Sequence, residues 1–169
     1  MMLVYSLLSL GARVVPLLII ITFITRTQSG SDIASFLYAL SILSVLSIMI
    51  EYGHTSSFVV YYKANRDIIG RLSLQAKAIN IFPFLLAVGA AVVYTEAPLA
   101  TMLELAGYFI LFHVQNLYLI QFRLTEGFRS EAIYSTAMNA LFMASFFMLE
   151  PIGGLSFSML IARGLSFLP

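Results

Sequence analysis

The chain has 169 residues, of which 60% are hydrophobic and 10% charged, with nine Lys or Arg, eight Asp or Glu and a net charge of +1. A soluble domain carries about 25% charged residues, so a mean hydropathy of +0.96 leaves too little polar surface to cover one and excludes soluble enzyme folds. The charges form no basic stripe of the kind nucleic acid requires, and without cysteine there is no disulfide framework, thiolate metal site or thiol nucleophile.

A helix needs about 20 apolar residues to cross a hydrocarbon core about 30 Å thick, and six stretches approach that length. The first covers residues 3–25 and is interrupted by Arg13 and Pro16. It lacks a basic leader and is too long for a signal-peptide core, so it reads as a membrane span. Ser31 or Asp32 is placed to cap the second helix. That helix covers residues 33–62, with a bend expected at Gly53. A polar segment, Lys63 to Lys77, leads into the third span over 72–94. Pro98, suited to a first helical turn, opens the fourth over 98–122. The fifth covers 131–149, and Glu150-Pro151-Ile152-Gly153-Gly154 turns the chain into a short sixth over 155–168.

Short loops between consecutive spans predict an all-α, up-and-down membrane bundle of about six helices in a single domain, 1–169. The alternation that a transmembrane β-barrel requires is absent. Lys63, Arg66, Arg71, Lys77, Arg123 and Arg129 fall on one side and Arg26 on the other. The positive-inside rule therefore predicts a multi-pass protein of the cytoplasmic membrane with its N-terminus in the cytoplasm. Arg163, inside the sixth apolar run, faces either the inner surface or the bundle.

Ionisable groups within spans cost several kcal/mol, about 2.5–3.5 on insertion scales, and mark candidate sites. Arg13 shares a helical face with Ser6 and Ser9. It either holds an anionic head group such as a phosphate or diphosphate in a hydrated cavity, or pairs with Glu51, Glu104 or the carbonyls freed by Pro16. On the fourth span Glu104, Tyr108, Gln115 and Tyr118 occupy one narrow sector, with His113 and Asn116 on other sides. They serve either as glycan contacts or as interhelical hydrogen bonds. Glu51 and His54, one turn apart, make either a protonation switch, with His113 as a further ion-coupling candidate, or an interfacial helix end. The Ser41, Ser44 and Ser47 stripe predicts close helix packing. Catalytic and nucleotide motifs are absent, the two histidines make no metal-ligand spacing, and neither enzyme activity nor a cofactor is expected.

Thr25-Arg26 closing the first span, the Ser31-Asp32 turn, Glu51-Tyr52-Gly53, the basic loop from Lys63 to Arg71 and the Arg-rich turn before the fifth span together define a pattern. It resembles the N-terminal half of the polysaccharide flippases, the family of O-antigen transporters within the multidrug/oligosaccharidyl-lipid/polysaccharide exporter superfamily. Two departures are Ala34 and Ser35, where the family often has a glycine, and a chain that stops where the family continues into a second lobe. The resemblance implies one lobe of a MATE-like transporter that flips an undecaprenyl-diphosphate-linked oligosaccharide between leaflets without ATP. Arg13 becomes the diphosphate candidate, by position only, with Glu104, Tyr108 and Gln115 on the substrate and Glu51, His54 and His113 in ion coupling. The implied partners are membrane lipids, the lipid-linked substrate and either a missing C-terminal lobe or a second copy; the end at Leu168-Pro169, without a polar tail, points to a fragment. Two further readings stand beside it: a drug or metabolite antiporter of the same superfamily, and a non-transporting membrane scaffold or assembly protein.

Overall fold

A computed structural model describes residues 2–27, 30–51, 66–95 and 97–167. Every element among them is helical: α1 (Met2–Thr27), α2 (Gly30–Leu46), α3 (Ile48–Glu51), α4 (Arg66–Tyr94), α5 (Leu99–Thr125), α6 (Phe128–Gly153) and α7 (Leu155–Leu165). By length and composition four segments are able to cross a membrane: Ile33–Glu51, Lys77–Tyr94, Leu99–Thr125 and Phe128–Gly153. Val14–Thr27 is the apolar second half of α1, and Leu155–Leu165 is a shorter apolar helix. The sixth expected span is thus an 11-residue helix, about 16 Å long at 1.5 Å per residue, too short for a full crossing.

One core runs through the bundle, built from residues a helical turn apart: Ile20 and Ile24 on α1, Phe36, Leu40 and Leu43 on α2, Phe84 and Val88 on α4, Met102 and Leu105 on α5, Phe142 and Phe146 on α6, and Met159 on α7. The outer face is also apolar, with Ile79, Phe82 and Leu86 of α4 all more than 60% exposed. Such a face is stable in hydrocarbon and not in water. Helix α1 packs chiefly along α6 rather than along α2, and α7 lies between α5 and α6, so the arrangement is not a simple succession of sequence neighbours.

Several local expectations shift. The second helix begins at Gly30, which places Ser31 and Asp32 inside its first turn rather than at its cap. Its break lies at Ser47, between α2 and α3, while Gly53 and His54 fall outside the described residues. The hydroxyls of Ser41, Ser44 and Ser47 donate to the carbonyls of Leu37, Ser41 and Ser44. Such back-bonding competes with the helical ladder and weakens it there. Ser41 and Ser44 are exposed, so the stripe is not a packing seam. Residues from Arg66 onward already belong to α4, and Lys77, expected in a loop, is 2% exposed. Pro98 caps α5 rather than entering its first turn, and α6 continues through Pro151 to Gly153 before Gly154, at φ +77°, turns the chain into α7.

Candidate functional site

The face of α5 that carries Glu104, Tyr108, Gln115 and Tyr118 is turned toward α7. Glu104 accepts a hydrogen bond from Ser156, and the ring of Tyr118 meets Phe167 edge-on at 6.3 Å. Between them Tyr108 and Gln115 converge on Arg163, which is 1% exposed. Arg163 Nη1 donates to Gln115 Oε1 at 2.6 Å and to Asn139 Oδ1 of α6 at 3.2 Å, and Nη2 donates to the Tyr108 hydroxyl at 3.4 Å. The guanidinium carbon lies 4.0 Å from the centroid of Phe142, with Tyr108 and Phe112 at 5.3 and 5.4 Å. These aromatic faces offset part of the desolvation of the cation.

Supporting bonds hold the acceptors in place. Gln115 Nε2 donates to Ser166 Oγ, which donates to the Arg163 carbonyl, and Asn139 Nδ2 donates to the Ser135 carbonyl. A guanidinium only donates, so both amides must present oxygen to it. Arg163 Nε has no hydrogen-bond partner, and no described carboxylate lies within ion-pair distance of the side chain. The centre is therefore a buried cation held by neutral acceptors, an arrangement electrostatically suited to an incoming anion.

A groove of about 580 Å³ opens between the first half of α1 and α6. Its walls include Leu7, Gly11, Val15, Ala140 and Met143, and Asn139 forms part of its lining. Asn139 thus joins the groove to the buried cation. Arg13 belongs to α1 beside this groove, but its side chain, like those of Ser6 and Ser9, lies outside the described residues. Glu104 is engaged with α7. A second, smaller pocket of about 290 Å³ lies where the starts of α2 and α5 meet the α6–α7 turn, and Ser156 lines it.

Of the ion-coupling candidates, Glu51 and His113 meet elsewhere, while His54 lies outside the described residues. Glu51, closing α3, places Oε2 3.6 Å from Nδ1 of His113 on the opposite side of α5. That separation exceeds a hydrogen bond, so both buried imidazole nitrogens lack a hydrogen-bond partner. Lys77 of α4 interacts electrostatically with both. No family model, curated protein or solved structure matches the chain.

The α5 face is legible in the sequence, but its partners are not: Arg163 reads there as facing either the inner surface or the bundle, and neither Asn139 nor Lys77 stands out as a site residue. An arginine in an apolar run and an asparagine midway along a span were the available signals. Among the described residues no cluster suits a metal ion.

Proposed function

We propose that the chain is one lobe of a MATE-like transporter that flips a lipid-linked oligosaccharide across the cytoplasmic membrane, with its N-terminus in the cytoplasm and no enzymatic step. The observation that carries this reading is the Arg163 cation, buried among neutral acceptors and with no described carboxylate beside it. A diphosphate-linked glycan supplies the anion that such a centre lacks. Tyr108 and Gln115 then act by orienting the guanidinium, and Arg13 remains a second cationic candidate. A second lobe or a second copy of the chain completes the cavity wall.

The test is surface polysaccharide in cells that depend on the complete protein. Arg163→Gln and Arg13→Ala are each expected to abolish it while membrane insertion persists. Normal polysaccharide in both variants would remove the proposal. The Glu51, His113 and Lys77 cluster supports a second reading, an ion-coupled drug or metabolite antiporter of the same superfamily. There, Glu51→Gln would abolish uptake driven by a proton gradient.

A further inference from the structure

We propose that the groove between α1 and α6 seats the hydrocarbon chain of an anionic membrane amphiphile, whose charged group reaches Arg163 by taking the place of the Asn139 amide oxygen. The inference rests on the reading of the chain as a carrier of an anionic lipid, and adds where on this lobe that lipid lies. Three observations carry it. The groove walls are apolar, yet Asn139, 4% exposed, lies among them. The amide oxygen of Asn139 is occupied by Arg163 Nη1 at 3.2 Å, the longer of the two bonds on that nitrogen, so of the two acceptors on Nη1 it is Asn139, the one that also lines the groove, that is more readily exchanged for a stronger one. Arg163 also keeps Nε without a hydrogen-bond partner. A phosphate oxygen adds to the hydrogen bond an ion-pair attraction that a neutral amide oxygen lacks, and accepts in a bidentate geometry that suits a guanidinium, so an anion brought by a chain lying in the groove competes well for the guanidinium. Charge complementarity and apolar walls thus select a chain and an anion in one molecule over a neutral lipid.

The full chain in nanodiscs of zwitterionic lipid would be photolabelled with hexadecyl phosphate carrying a diazirine at its chain end, and with hexadecanol carrying the same group. The phosphate is expected to label peptides 4–16 and 136–143 about tenfold more than the alcohol, the ratio that one charge-assisted hydrogen bond supports. Arg163→Gln should remove the preference for the phosphate. Gly11→Leu should reduce labelling by both probes, since Gly11 lines the groove and a Cβ built there meets nothing within 4 Å.

Equal labelling by the two probes, labelling spread over the outer face of α4, or insensitivity to both substitutions would overturn the proposal. So would displacement of the label by equimolar inorganic phosphate, which would assign the cation to a free anion. Should labelling follow expectation while Arg163→Gln and Arg13→Ala cells both keep their polysaccharide, the transport reading falls and the lipid seat stands. The reverse pattern removes the seat alone.

Discussion

His113 Nδ1 lies 3.6 Å from Glu51 Oε2, bringing the end of α3 against α5 through an imidazole that makes no hydrogen bond with either nitrogen. A buried polar group without a bond costs about 1–3 kcal/mol, so the imidazole is retained at the expense of stability. His113→Leu, which fills the same space without polar atoms, is therefore expected to keep or raise the Tm of the purified protein. A fall of several degrees in a thermal unfolding assay would show instead that the imidazole makes a stabilising contact.

Arg163 gives the opposite expectation. Arg163→Met preserves length but leaves the oxygens of Gln115, Asn139 and Tyr108 without their donor, at a cost of about 1–3 kcal/mol. Adding Gln115→Leu removes one of those acceptors and should recover part of the loss, because residues in one hydrogen-bond network are energetically coupled. Denaturant unfolding of the four species of this cycle measures the coupling. Strict additivity would mean that the Gln115 bond contributes nothing.

Helical character and the α5 polar face were legible because each depends on one period. Apolar residues recur a turn apart, and Glu104, Tyr108, Gln115 and Tyr118 share a sector whatever they touch. What packs against that sector was not legible, because it depends on the pairing of α5 with α7 and of α1 with α6 across long sequence separations. Lys77 misled for a related reason. At the end of the polar segment that begins at Lys63 it reads as part of a loop, whereas α4 extends back to Arg66 and carries Lys77 inward. The expected bend at Gly53 lies outside the described residues; the break at Ser47, where three serine hydroxyls in succession compete for backbone carbonyls, is a separate one that the apolar run up to Ile50 conceals. The sixth span was overestimated because apolar composition alone does not report the turn at Ser166 and Phe167 that closes α7.

The α5–α6 turn is held by a bidentate pair, with Arg123 Nε and Nη2 each donating to Glu131 at 2.7 Å. Glu131 is fully buried, and the guanidinium also lies 5.3 Å from the Phe128 ring centroid. Arg123→Ala is expected to cost about 2 kcal/mol, in the range for hydrogen bonds to a charged group. Gly127, between the helices at φ +90°, requires a conformation that a Cβ disfavours, so Gly127→Ala should cost about 1 kcal/mol. Equilibrium unfolding checks both, and wild-type stability in either variant would show that the turn tolerates rearrangement.

Gly107 sets how closely α7 approaches α5, one residue before Tyr108. A Cβ built there comes within 2.8 Å of Leu160 Cδ1. Because the obstructing atom is the end of a flexible side chain, Gly107→Ala should be accommodated by rotation of Leu160, at a cost below about 1 kcal/mol once the higher helix propensity of alanine is included. Gly107→Leu has no such escape. The added volume separates the two helices and costs about 1–3 kcal/mol. The separation also lengthens the bonds from Arg163 to Gln115, at 2.6 Å, and to Tyr108, which at 3.4 Å is already at the limit of a hydrogen bond. The phosphate preference in photolabelling should consequently weaken in Gly107→Leu and persist in Gly107→Ala. If the preference survives both substitutions, the guanidinium is positioned by α6 and its Phe142 ring rather than by α5.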